Sequence, residues 1–514
     1  MRKILCPVAL MKLNDLIEGL AMHQVSGSTS EEIFGIAFHS KEVQPHFLFA
    51  AIKGATHNGH DFISEAIRRG AKAIIAETVP EPHHEVTWIT VPDTRIALAQ
   101  VAARFLDDPS LALKVVGITG TNGKTTTSYL LESIFRAAGY NPGVIGTINY
   151  RFGNIVRPAP NTTPESLEIQ KLLAHMVKEK VSHVAMEVSS HALDQNRVEG
   201  VNFAVGVFTN LTPEHLDYHG TMEQYTQSKA KLFSRFLDQS KIAGKKFAVL
   251  NQDDPQTSHF RSLTSVSVVQ YGMGKDVDIT IEKAQVSQEG VRGTLKTPRG
   301  DIRFISSLFG RFNLYNIMAA TGAAICLDTP REAIRSGIEN FISVPGRMER
   351  VGQERNFTIL VDYAHTPDAL EKVLLSLREL APLRIITVFG CGGDRDRNKR
   401  PMMGEIAAKL SDLVVITSDN PRTERPEDII AEIEEGVKSA GLEKISPREA
   451  PYRNGYFAVA DRFEAIQNAL HMAKRGDIVL VAGKGHEDYQ IIGKQRIPFD
   501  DRETIKEALN KIKP

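Results

Sequence analysis

Four apolar runs late in the chain, Thr358 to Val361, Arg384 to Phe389, Leu413 to Thr417 and Ile478 to Ala482, each pass directly into a polar segment. Those segments read DYAHTPD, GCGGDRD, SDNPR and GKGHED. Short apolar runs alternating with helical spacing predict buried strands of a parallel sheet, and loops at the carboxyl ends of such strands line a ligand crevice. Ordinary turns are polar as well, but four such motifs at four strand ends predict one composite site.

The same alternation organises the rest of the chain. Phe47 to Ile52 and Ala73 to Ala76, with the helical pattern Asp61 to Arg69, predict a small α/β unit that ends at the turn-rich Asp107-Asp108-Pro109-Ser110. A second unit opens on the apolar run Leu113 to Ile118. In it, Thr126 to Ala138 reads as a helix, and Val181 to Val188 and Phe203 to Phe208 as buried strands of a mostly parallel sheet. Residues 266 to 306 alternate polar and apolar positions and predict an antiparallel excursion, followed by a helix over Asn313 to Cys326. Val344-Pro345-Gly346 is the expected hinge into a third unit. The predicted fold is therefore α/β with three domains, at 1–111, 112–344 and 345–514, as suits 514 residues that are too many for one core.

Composition narrows the partners. Lys plus Arg equals Asp plus Glu at 62 each, so no charge excess suggests a nucleic-acid or membrane-surface partner, and no apolar run approaches membrane-spanning length. Cys6, Cys326 and Cys391 are far apart and without CxxC spacing, which points to reduced thiols in a cytosol-like compartment. The opening MRKILCPVALMK has a basic tip but a short apolar stretch broken by Pro7, and reads as cytoplasmic. A monomer is expected.

The chemistry is concentrated in GITGTNGKTT at 117 to 126. Glycines let backbone N–H groups close around phosphate oxygens, Lys124 supplies a point charge, and the Thr125 hydroxyl can reach Mg²⁺. Only two residues separate Gly120 from Gly123, whereas the commonest phosphate loop has four in that interval. Glu187 ends the run Val184-Ala185-Met186, where a strand-tip carboxylate can ligate Mg²⁺ or simply cap a helix. His215 and His219 have the spacing of a zinc half-site, but no third His or Cys completes it, so zinc is not expected.

GTNGKTT at 120 to 126, NTTP at 161 to 164, MEVSSHAL at 186 to 193, HLDYHG at 215 to 220, FNLYN at 312 to 316 and PGRMER at 345 to 350 resemble, in order and over nearly the whole chain, the Mur ligases. That resemblance implies an ATP- and Mg²⁺-dependent enzyme of peptidoglycan synthesis, with an N-terminal UDP-binding domain, a central ATPase and a C-terminal Rossmann-like domain. It implies nucleotide contacts from Gly120, Thr121, Asn122, Gly123, Lys124, Thr125, Thr126, Asn316, Arg347 and Asp362. A muramoyl-dipeptide site follows from Ser40, Asn161, Thr162, Thr163, Ser189, Gln195 and Arg197. Lys124, Glu187, His215 and Lys229 are its implied catalytic residues, and Thr125, Glu187, His215 and Lys229 its metal set, with Lys229 carbamylated. Without the resemblance, Lys229 reads as a solvated helix lysine.

DNPR at 419 to 422 is similar to the members that add meso-2,6-diaminopimelate to UDP-N-acetylmuramoyl-L-alanyl-D-glutamate. Asp419, Asn420, Pro421, Arg422, Arg395, Gly483 and Glu487 are then the implied amino-acid site. An arginine fork pairs with a carboxylate, and leaving it desolvated and unpaired costs about 3–5 kcal/mol, which would disfavour lysine. One departure is His39-Ser40-Lys41 where the family usually has Asp-Ser-Arg, which leaves Ser40 as the expected UDP contact. A lysine-adding Mur ligase and folylpolyglutamate synthetase are the near alternatives. A phosphate-loop switch ATPase is the distant one.

Overall fold

The computed structural model describes residues 10–54, 57–79, 86–352 and 355–511. Cys6 and most of the opening basic segment lie outside them. Contacts divide the chain into a first unit, running to Glu282 with Leu295–Ile302 and Tyr315–Ile338, and a second that holds Lys283–Thr294, Arg303–Leu314 and everything from Glu339 onward.

The first unit contains two large sheets. A five-stranded one has the order Gln24–Ser26, Thr87–Thr90, Ala71–Ala76, Phe47–Ala50, Gly35–Ala37, parallel except at its first pair. The larger sheet has eight strands: Ile155–Pro158, Asn149–Phe152, Pro142–Ile145, His183–Glu187, Lys114–Thr119, Phe203–Phe208, Phe247–Asn251 and Ser267–Tyr271. All its pairings from Pro142–Ile145 onward are parallel. Parallel strands buried on both faces read as continuous apolar runs, and Val115, Val116, Ile118, Val184 and Met186 are all fully buried. Gly117 sits mid-strand because a Cβ there would stand 2.7 Å from the Phe203 ring.

One expectation is corrected here. Ser267–Tyr271 does not start an antiparallel excursion but adds in parallel to Phe247–Asn251 at the sheet edge. Val266-Ser267-Val268 alternates in residue type whichever way the strand pairs, so periodicity could not separate the two. Residues 280–306 do supply three further strands, Thr280–Ser287, Gly290–Lys296 and Ile302–Ser306.

The second unit is built on a six-stranded sheet ordered Glu349–Arg350, Thr358–Asp362, Ile478–Ala482, Ile385–Phe389, Leu413–Ile416, Gly455–Ala458. Its last five strands are parallel. The four strands that feed the polar motifs are consecutive neighbours pointing the same way, so DYAHTPD, GKGHED, GCGGDRD and SDNPR leave the sheet along one edge.

Candidate active site

The phosphate loop turns on two left-handed glycines, Gly120 at φ +149° and Gly123 at φ +86°. A Cβ on Gly120 would lie 1.9 Å from Thr209 Oγ1, and one on Gly123 2.4 Å from Asn316 Oδ1, so the loop is pressed between the Thr209 turn and the helix carrying Asn316. Thr209 Oγ1 donates to the Asn122 carbonyl at 2.6 Å, and the Asn122 N–H donates to Asn210 Oδ1 at 2.9 Å. The helix Lys124–Ala137 begins two residues before its expected start at Thr126. Its first-turn N–H groups, which have no intrahelical acceptor, are therefore those of the loop itself.

Lys124 Nζ donates to the carbonyls of Gly120 and Thr121, each at 2.7 Å. Lys229 Nζ donates to the Gly120 carbonyl as well, at 2.9 Å. Lys229 is not a solvated lysine but a fully buried one, on the helix Met222–Lys231 just before the π-helical turn Leu232–Leu237. Burial, followed by the Lys124 charge, pushes its pKa well below the ordinary lysine value, against a smaller opposing pull from Glu214.

Glu187 ends its strand fully buried. Its carboxylate accepts from Thr125 Oγ1 at 2.9 Å, and from the Thr147 hydroxyl and N–H at 2.8 and 3.1 Å. Thr125 and Glu187, both of the expected metal set, are thus adjacent. His215 stands nearby in a left-handed backbone conformation, edge-on to His191 at 4.8 Å, and burial lowers its pKa. Among the described residues no three His, Cys, Asp or Glu side chains converge on one point.

Five of the seven expected muramoyl-dipeptide residues interlock. Thr163 Oγ1 donates to the Glu187 carbonyl at 2.8 Å and accepts from the Ser189 N–H at 3.0 Å. Arg197 donates to the Thr163 carbonyl at 3.1 Å and to Gln195 Oε1 at 2.8 Å, and pairs with Glu165 at 3.0 Å. Thr162 joins through its hydroxyl contact with Thr147 at 3.1 Å. Asn161 is tied by its carbonyl to the Tyr150 hydroxyl at 2.5 Å. Ser40 is in the smaller sheet's part of the unit, where it donates to Glu65 at 2.6 Å.

In the second unit, Asp362 accepts from the N–H groups of Met348 and Ala364 at 2.7 and 2.8 Å, and burial raises its pKa. Arg347 lies 4.7 Å above the Tyr363 ring, beside it. Asn420 Nδ2 donates to Glu487 Oε2 at 3.0 Å, which joins the DNPR and GKGHED loops. Arg422, at φ +51°, donates to the Gly393 carbonyl at 2.8 Å. A Cβ on Gly392 would stand 2.9 Å from Arg422 Nη1 and 3.7 Å from Arg395 Cγ, so both arginines approach that glycine. Gly483, at φ +114°, admits the Asp419 carboxylate to 2.6 Å from where a Cβ would be.

Family models match three stretches: the Mur ligase family catalytic domain at residues 32–106, the Mur ligase middle domain at 118–324, and the Mur ligase glutamate ligase domain at 346–485. A UDP-N-acetylmuramoyl-L-alanyl-D-glutamate–2,6-diaminopimelate ligase of Geobacter metallireducens is 48% identical over 98% of this chain and 99% of its own. The chain belongs to the Mur ligase family. A solved ligase of that same name superposes with a TM-score of 0.71 at 31% identity, over 98% of this chain and 99% of its own. The MurF ligase of Thermotoga maritima, solved with ADP, matches at TM-score 0.59 and 20% identity over 93% of this chain and 97% of its own, a likeness of fold.

Several residues of this Mur ligase site escaped the sequence reading. Thr147 holds both oxygens of Glu187, and its signal was the apolar run Gly143-Val144-Ile145, a parallel strand ending at the same sheet edge. Thr209 and Asn210 brace the loop from the end of Phe203–Phe208. Fully buried Arg400 is held by Glu424 at 2.8 Å, and Arg462 by Asp501 at 2.7 Å. Nothing in their local sequence marks them as paired.

Proposed function

We propose that this Mur ligase joins meso-2,6-diaminopimelate to the D-glutamate γ-carboxylate of UDP-N-acetylmuramoyl-L-alanyl-D-glutamate at the expense of ATP. The observation that carries the substrate is the approach of Arg395 and Arg422 to Gly392 beside the Asn420–Glu487 bond, which provides for a carboxylate and an ammonium on one small molecule. The 48% identity to a ligase of that name supports the same reading. In this reading residues 1–111, 112–344 and 345–514 serve UDP, ATP and the amino acid respectively.

The γ-carboxylate oxygen attacks the γ-phosphorus of ATP, the bond to the bridging oxygen of ADP breaks, and an acyl phosphate results. The amine then attacks the acyl carbon, loses a proton, and phosphate leaves. Lys124, at the first helical turn, stabilises the charge on the transferring phosphoryl group. Gly120, Thr121, Asn122, Gly123, Thr125, Thr126 and Asn316 surround the phosphates, and Arg347 and Asp362 are assigned to the nucleotide. Thr125, Glu187, His215 and Lys229 fit magnesium by their donor chemistry, and the ion when bound would neutralise phosphate charge. For Lys229 the fit requires a change of charge. Its depressed pKa favours the neutral amine, whose lone pair attacks the carbon of carbon dioxide. One proton is released and a carbamate anion forms.

The decisive assay offers diaminopimelate, lysine and ornithine side by side with the muramoyl-dipeptide and follows phosphate release. Release that needs both the dipeptide and diaminopimelate supports the proposal. Lysine outcompeting diaminopimelate, glutamate addition to a folate, or turnover with ATP alone would each replace it.

A further inference from the structure

Lys484 is a fully buried charged side chain that the mechanism above does not use. It lies two residues beyond the end of the strand Ile478–Ala482. Its ammonium donates to Glu487 Oε2 at 3.1 Å and to Asn420 Oδ1 at 3.3 Å, with Asp419 Oδ1 at 3.9 Å. The partners come from two separate loops, so this one cation ties SDNPR to GKGHED. Asn420 is clamped from the far side too, since its Oδ1 also accepts the Ile491 N–H at 2.9 Å.

Behind the same strand end, Arg462 donates to the Ala482 carbonyl at 3.0 Å and pairs through two nitrogens with Asp501, both at 2.7 Å. Lys484 and Arg462 are thus both held by carboxylates at this strand end. A carboxylate held in place offers an incoming ammonium a fixed counter-charge. The bonds from Lys484 and Asn420 both fall on Oε2 of Glu487, so they fix the carboxylate's orientation.

We infer that Lys484 is a positioning residue for the amino-acid substrate: it orients Glu487 and Asn420 so that the pocket selects a substrate with a distal ammonium. This rests on the proposed diaminopimelate ligation. Without Lys484, Glu487 would be free to turn away, and the ammonium would lose its fixed partner.

The test first establishes that the wild-type chain ligates diaminopimelate; if it does not, the functional proposal fails and not this one. Lys484→Met is then compared with wild type using diaminopimelate and 2-aminopimelate, which lacks the distal amine. The expected result is a KM for diaminopimelate raised about tenfold or more, a KM for ATP changed by less than about twofold, and a preference for diaminopimelate over 2-aminopimelate that collapses. In a Glu487→Gln background the same substitution should add little to the KM for diaminopimelate. An unchanged preference in folded Lys484→Met, or equal losses toward ATP and both amines, would overturn the inference. Should that variant not fold, Lys484→Gln, which keeps a donor, is judged by the same criteria.

Discussion

Lys124 and Lys229 donate to one and the same oxygen, the Gly120 carbonyl, at 2.7 and 2.9 Å. Two ammonium groups on one acceptor repel each other, and Lys229 is buried besides, so the arrangement favours removing the positive charge from Lys229. The two lysines are therefore expected to differ under mutation. Lys124→Ala should lower kcat by about 10²–10³-fold or more, as loss of a preorganised electrostatic donor does, without rescue by added acids. Lys229→Ala should be inactive yet regain turnover with formate or acetate. Absence of rescue, together with an intact-mass spectrum lacking the added carbon dioxide, would count against the carbamate.

Thr147 should matter through Glu187. Thr147→Val removes the 2.8 Å hydroxyl donor to the carboxylate while keeping the side chain's shape. The loss of one hydrogen bond to a charged group is worth about 1.5–3 kcal/mol. We expect a lowered kcat and a raised magnesium requirement in steady-state titrations. If the magnesium dependence does not move, Thr147 has only a packing role.

Gly120→Ala should be among the most damaging small substitutions. It places a Cβ 1.9 Å from Thr209 Oγ1 at a φ of +149°. Backbone strain at such positions costs about 1–3 kcal/mol, and the loop would have to move to relieve the clash. A lower melting temperature and loss of ADP binding by calorimetry are expected. An alanine variant with native ADP affinity would show that the loop tolerates the shift.

Arg422→Ala should raise the KM for diaminopimelate about 10²-fold, in line with a broken buried carboxylate pair, and leave the KM for ATP near wild type. Arg422→Lys should recover little, because a point charge does not reproduce the planar fork. Parallel progress curves with diaminopimelate and lysine read the result; an undiminished preference for diaminopimelate would remove Arg422 from the clamp.

Acid should loosen the His191 cluster. Burial, and then the neighbouring His215, His219 and Arg197, push His191 down to about 4 from an ordinary 6.5. Between those values the unfolded chain binds a proton that the folded one refuses, so stability falls as pH drops from about 6.5 toward 4. His215 and His219 are shifted in the same direction. Urea midpoints of His191→Gln should fall less steeply over this window than those of wild type, and superimposable pH profiles would dismiss the effect.

What the sequence determined by itself was local. Apolar runs fully buried in parallel sheets, such as Val115 to Ile118 and Ile478 to Ala482, are visible as uninterrupted hydrophobic stretches, and the left-handed turn of the phosphate loop is written in its glycines. Motif order was enough to reach the family. Tertiary structure decided what depends on residues distant in the chain. It made Ser267–Tyr271 a parallel edge strand, since pairing direction is a property of two strands and not of one. It buried Lys229 against a carbonyl 109 residues away, where one helical face alone would have suggested solvent. It also put Lys484 between two loops whose motifs were legible separately, because an ammonium in a dry interior goes where carboxylates converge, and that convergence exists only after folding.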